Sequence, residues 1–287
     1  MLQVKSFFDA RTWTLTYVAW DPATLDAIVV DPVLDFDPAT GKTWKESVTL
    51  VEAFVTEANL KVRGIFETHV HADHLTGAQD LKARLGAPIA IGRGITKVQD
   101  IFAGVFNLGD DYKRDGSQFD MLLDDGGTFA AGSLTVKALA TPGHTPACMS
   151  YLVGDAVFTG DALFMPDQGV GRCDFPAGSA KDLYTSVHGR LYQLPPDTRV
   201  FVGHDYQPGG RAPQWETTIA ASRAENIQLT ADTSCEAFVT QRTARDATLA
   251  APRLLLPSIQ VNMNAGRFPP AEDNGVSYLK MPLRPQG

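Results

Sequence analysis

Cysteine is scarce in this 287-residue chain: Cys148, Cys173 and Cys235 are an odd three at unrelated spacings. That excludes a disulfide framework and fits a reducing compartment. Long apolar runs are missing too. No stretch approaches the ~18 residues of a membrane-spanning helix. Residues 1–10 carry one lysine and an early Asp9, without the charged start and apolar middle of a signal peptide. The expectation is a cytoplasmic protein without membrane attachment. Basic clusters are also lacking. With 25 Lys and Arg against 33 Asp and Glu, a net charge of −8, the chain offers no basic face to nucleic acid, and its acidic surplus favours solubility. At 44% hydrophobic and 20% charged residues, a disordered majority is excluded, and the length allows one large domain or two small ones.

Short β-rich pieces at 5–8, 13–18 and 26–30, separated by turn residues such as Asp21-Pro22, predict an antiparallel meander. Residues 35–43, rich in Asp, Pro and Gly, read as a loop. Val48, Val51, Phe54 and Val55 have a helical period, which predicts a helix over 44–59. A second helix is expected over 75–85, with Gly86 as a left-handed stop and Pro88 beyond it. A strand at 89–91, a helix at 96–102 and a polar loop at 107–116 follow. Asp124-Asp125-Gly126-Gly127 marks a turn before a strand at 134–138. Helices are expected over 180–194 and 214–229, and no fixed-period repeat is present.

Chemistry concentrates in Thr68-His69-Val70-His71-Ala72-Asp73-His74, directly after an apolar strand. If that strand runs on, alternation points His69, His71 and Asp73 to one side, while His74 needs a turn. Imidazole and carboxylate are the ligand types of zinc, iron and related divalent metals. Three later apolar strands each deliver one more candidate into a Gly- or Pro-marked loop: His144 in TPGHT, Asp161 after Gly160, and His204 after Gly203. Loops held by rigid strands commonly carry sites. A lone histidine is most often a satisfied structural residue. Here five of six histidines share one kind of location, which reverses that preference. His188, in a helical segment, reads as a packing residue, and Cys148 as a small buried hydrophobe. Asp73 and Asp161 could instead be turn formers or caps, but their company favours ligation. Glu67 receives no role.

The series HxHxDH (His69 to His74), TPGHT, FTGDAL and GHDY, in that order, resembles the metallo-β-lactamase superfamily. The resemblance implies an α/β fold, an αβ/βα sandwich of two mixed β-sheets with outer helices and metal at one edge. Residues 1–287 would form a single such domain, with about 60 C-terminal residues as a helical and irregular extension. Within it, DPVL (31–34), TPGHTPACMSY, GRCDFPAGSAKDLYTSVH, GHDY and VNMNAG (261–266) are most similar to persulfide dioxygenases. That branch implies one Fe(II) per chain, held by His69, His144 and Asp161. His71, Asp73, His74 and His204 would orient ligands and water, with Asp73 and His74 nearest the reaction. Its substrates are glutathione persulfide and O2, its products sulfite and glutathione. Arg172, through its guanidinium, and Tyr206 are the candidates to hold substrate. A sulfurtransferase partner and a homodimer are compatible with the branch. Cys173 stands where many relatives have Thr, and Asn264 where the distal motif often has Arg. The alternatives are a glyoxalase II-like hydrolase of glutathione thioesters, in which all seven ligands bind two metals such as zinc, and a non-catalytic metal-binding module.

Overall fold

In the computed structural model, which describes residues 1–283, the opening pieces form the expected meander. Strands β1 (Gln3–Asp9), β2 (Thr14–Trp20) and β3 (Asp26–Val30) pair antiparallel. The expected loop at 35–43 is instead a hairpin of β4 (Val33–Asp37) and β5 (Lys42–Trp44). Only its tip has turn chemistry: Asp37 accepts from Ala39 N and Thr40 Oγ1, and Gly41 is left-handed. Helix α1 (Glu46–Glu57) and β6 (Lys61–Phe66) follow as expected. The predicted helix at 75–85 splits into β7 (Leu75–Thr76), which pairs with β4, and α2 (Ala78–Leu85). Gly86 ends α2 in the left-handed region, as its placement predicted.

Next come β8 (Ile89–Gly92), α3 (Ile95–Val105), β9 (Met121–Leu123), β10 (Thr128–Ala131), β11 (Leu134–Ala140), β12 (Met149–Val153) and β13 (Ala156–Phe158). The chain continues through α4 (Ala180–Gly189), β14 (Arg199–Phe201), β15 (Glu216–Thr218), α5 (Ile219–Glu225), α6 (Cys235–Asp246) and α7 (Leu255–Asn262). Two helix expectations need correction. The helix at 180–194 stops at Gly189, because Arg190 turns away to bind Asp125. The helix expected over 214–229 begins as β15: Thr217 and Thr218 pair with β14, Arg199 grips Glu216, and Thr218 then caps α5 through Ala221 N. β-Branched residues favour the pleated surface over the helix.

The strands form two mixed six-stranded sheets, β1-β2-β3-β6-β8-β9 and β10-β11-β12-β13-β14-β15, with a small sheet β5-β4-β7 beside them. The two large sheets pack face to face. Tyr17 meets Phe158 and Phe201 at ring-centroid distances of 5.4 Å, and Phe66 meets Tyr151 at 5.1 Å. Burying each such side chain stabilises by about 1.5–3 kcal/mol. Helices α1 to α3 cover the outer face of the first sheet through Val51, Leu81 and Val98. Helices α4 to α6 join the other core cluster through Leu183, Val187, Ile219 and Phe238. This is the expected αβ/βα sandwich. Pairs β3–β6 and β13–β14 run parallel, so the loops after β6, β13 and β14 emerge at strand ends where ligands can meet. Among the described residues no helix is long and apolar enough to cross a membrane.

Candidate metal centre

Strand β6 stops at Phe66, and residues 67–74 have no regular structure. His69, His71 and Asp73 therefore converge through turns of a loop, and not by strand alternation as the sequence suggested. The loop's backbone is satisfied from outside it. Glu67 O accepts from Tyr151 OH (2.7 Å), Thr68 O accepts from Met149 N (2.8 Å), and Thr68 N donates to Asp31 Oδ1 (2.7 Å).

Four of the five histidines of the cluster have Nδ1 fixed by a hydrogen bond. Thr68 Oγ1 gives its single proton to Asp31 Oδ2 (2.7 Å), so it must accept from His69 Nδ1 (3.0 Å). His144 Nδ1 donates to Arg172 O (2.6 Å) and His204 Nδ1 to Trp13 O (3.3 Å), because a carbonyl can only accept. His74 Nδ1 donates to Asp73 Oδ2 (3.0 Å). His71 differs: neither of its ring nitrogens has a hydrogen-bond partner, and its Nε2 faces Asp31 Oδ1 at 3.1 Å and Glu67 Oε2 at 3.5 Å. The buried Nε2 atoms of His69, His74 and His204, His71 Nδ1 and Asp161 Oδ1 have no hydrogen-bond partner. Leaving one such buried group unpaired costs about 1–3 kcal/mol, so an array of them fits a bound cation. The donor set fits a divalent metal, with backbone and carboxylate partners fixing each ring.

Asp161 stands between two halves of the array. Its Oδ2 lies 3.5 Å from His144 Nε2 and 4.0 Å from His69 Nε2, while its Oδ1 lies 3.4 Å from His204 Nε2, itself 3.4 Å from Asp73 Oδ2. Among the described residues three groups each have donor atoms within 4.8 Å of one another: His69, His144 and Asp161; His71, Asp73 and His74; and Asp31, Glu67 and His71. Burial, reinforced by His71 and His144, pushes His69 well below the usual histidine range. Burial also opposes a charge on His71, but Asp31 and Glu67 outweigh it and push that ring up. For Asp73, burial is outweighed by His204 and His74, and the carboxyl falls well below its ordinary value.

A cavity of about 230 Å³ opens over His144, Asp161 and Asp73, and a neighbouring one of about 530 Å³ shares Asp161, Arg172 and Tyr206 with it. Both substrate candidates therefore line the mouth. Arg172 is held by Asp174 (2.5 Å) and by Ala250 O (2.7 Å). Tyr206 is exposed and stacks on His204 at 5.6 Å. His188 packs against Tyr184 and reaches Ala231 O, away from the centre. Cys148 and Cys173 are buried, with burial raising both thiols. Asn264 caps Arg267 O. Sequence reasoning missed four supports: Asp31, Glu67, Thr68 and Asn262. Asp31 and Asn262 lay inside quoted motifs, yet nothing local in either motif says what its side chain reaches. Glu67 gave no signal beyond adjacency.

The metallo-beta-lactamase superfamily model matches residues 14–204. The chain is 50% identical to a probable metallo-hydrolase of Burkholderia pseudomallei, covering 98% of this chain and 99% of the relative. It is 30% identical to the human mitochondrial persulfide dioxygenase ETHE1, covering 92% of this chain and 88% of that one. Among solved structures, ETHE1 from Myxococcus xanthus is similar with a TM-score of 0.73 and 32% identity, over 92% of this chain and all of its own.

Proposed function

This chain belongs to the metallo-beta-lactamase superfamily, and on that premise we propose that it is a non-haem iron dioxygenase oxidising glutathione persulfide with O2 to sulfite and glutathione. The observation that carries the reading is the trio His69, His144 and Asp161, whose donor atoms lie within 4.8 Å of one another beneath a cavity. Two imidazoles and one carboxylate with open positions suit oxygen-activating iron. The segment that resembles the dioxygenase branch braces two of the three. Arg172 O fixes the His144 ring, Gly171 N donates to Asp161 O (3.1 Å), and Ser179 N donates to Gly143 O (2.8 Å). The 30% identity to a persulfide dioxygenase and the likeness to the ETHE1 structure support the same reading.

When bound, Fe(II) supplies the redox chemistry between O2 and the terminal sulfur. The protein's part is placement. The Nδ1 partners of His69 and His144 keep both Nε2 lone pairs directed at the metal position. Asp73, joined to His74 and to Thr14 Oγ1 (3.1 Å), presents a fixed acceptor that orients water or a thiol proton. The two cavities receive the arms of the tripeptide, with Arg172 and Tyr206 at their junction. On this reading the reaction belongs in the cytoplasm.

A second reading rests on a specific observation: the bare Nε2 of His204 lies 3.4 Å from both Asp73 and Asp161, and His74 Nε2 is bare as well. These could hold a second metal, as in a dinuclear hydrolase, and the relative at 50% identity carries a hydrolase name. One experiment separates the two. Iron is reconstituted without oxygen, metal content is measured, and oxygen uptake is followed on adding glutathione persulfide. Uptake matched by sulfite at one iron per chain is expected. Two metals per chain, no uptake and hydrolysis of a glutathione thioester would move the protein to the hydrolase reading.

A further inference from the structure

The loop that carries four of the candidate ligands leaves two of its own carbonyls to a residue nearly two hundred positions away. Asn262, the last residue of α7 and buried, donates from Nδ2 to His71 O (2.9 Å) and to His74 O (2.8 Å), and its Oδ1 accepts from Thr76 N (2.8 Å). All of its amide's polar atoms are thus spent on the segment 71–76. Residues 67–74 belong to no ladder that could satisfy those carbonyls, and buried backbone groups need partners. We propose that Asn262 is a positioning residue for the metal: through the peptide units of His71 and His74 it sets the ligand loop, and the C-terminal helix is therefore part of the metal centre.

Helix α7 is anchored independently of this contact. Ile259 and Met263 are buried in the first sheet's outer core, and Val261 packs with Leu34 and Leu75. Met263 O accepts from Gln99 Nε2 (3.0 Å) and Tyr112 OH (3.2 Å). Replacing Asn262 thus leaves the helix seated and frees only the loop. The segment that leads into this helix reaches the cavity over Asp161, where Pro252, Arg253 and Leu254 contribute to the lining. The inference rests on the ligand assignment above and not on which reaction follows, since the loop bears ligands in either reading.

The test is Co(II) affinity, measured by chelator competition, together with the Co(II) absorption spectrum. Asn262→Ala should bind about 10–100-fold more weakly, the loss typical of partners behind the ligands, with a shifted spectrum and a folded metal-free form by circular dichroism. Asn262→Asp keeps the bond from Thr76 N but loses both donated bonds, and should weaken Co(II) similarly. Wild-type affinity and spectrum in either folded variant would overturn the proposal. A mutation-free measurement covers the case in which neither variant folds. Coupling is reciprocal, so loading wild-type protein with Co(II) should slow amide exchange across 255–266 more than across β10, which bonds none of the candidate ligands. Equal slowing would overturn the proposal. Oxygen uptake plays no part in these readouts, so failure here and failure of the dioxygenase reading stay distinguishable.

Discussion

Replacing Thr68 by Val keeps the shape of a buried side chain and removes only its hydroxyl, which the structure uses twice. The hydroxyl donates to Asp31 Oδ2 at 2.7 Å and accepts from His69 Nδ1 at 3.0 Å. Thr68 is 1% exposed, so water cannot replace it. Leaving the His69 N–H unpaired costs about 1–3 kcal/mol, and losing a bond to a charged acceptor about 1.5–3 kcal/mol. Asp31 still receives Thr68 N at 2.7 Å, which keeps its carboxylate in place. The metal-free protein should therefore lose roughly 3–5 kcal/mol in urea unfolding. Metal should bind about 10–100-fold more weakly by chelator competition, because His69 loses the acceptor that fixes its tautomer. Thr68→Ser is the control. It keeps the oxygen and gives up one methyl, so only about 1 kcal/mol should be lost, with metal affinity retained. If Thr68→Val bound metal as tightly as wild type, or if Ser were as damaging as Val, the tautomer argument would be refuted.

Gly160, just before Asp161, has φ +50° and an added Cβ would overlap Thr68, lying 2.7 Å from its Cβ. Gly160→Ala should lower stability by about 2 kcal/mol or more and weaken metal binding; an unchanged melting temperature would contradict this. Asp125 is held by Arg190, whose Nη2 donates to Oδ2 at 2.6 Å, and the carboxyl falls from the ordinary 3.8 to about 2. A depressed folded value means that the unfolded chain binds more protons as pH falls. The ion pair's contribution is complete above the ordinary value and is lost as pH drops from about 5 toward 2. The pair is half-exposed and its effect is small: the stability gap between wild type and Asp125→Asn should close across that window and stay constant above it. A gap that widens toward acid would refute the assignment.

The candidate ligands were legible as a group because each follows an apolar strand within a few residues. TPGHT, GD and GHD mark chain reversals with Gly or Pro, HxHxDH packs its candidates into six residues, and five of six histidines sit in these stretches. A local pattern of that kind carries both the strand and its loop. Helix α2 with its Gly86 stop was equally local. The failures share a cause. At 214–218, cross-strand pairing with β14 and the Arg199 grip on Glu216 decided for β15. At 33–44, pairing across a four-residue tip made a hairpin where composition suggested a loop. β4 is held on its other side by β7, through Val33–Thr76 and Leu34–Leu75 pairs, so both outcomes were decided by strand pairing and not by composition.

The sequence by itself determined which residue types could bind a metal, in what order, and which sheets they would end. Tertiary structure decided which ring nitrogens are bare and what holds the loop that carries His69, His71 and His74. The rings rest on Asp31, 37 positions before Thr68, and on the Arg172 carbonyl 28 positions after His144, and the loop's backbone rests on Asn262, 191 positions after His71. A ring's tautomer follows from what its other nitrogen touches, and touch at such separations exists only once the two sheets and the C-terminal helix have packed.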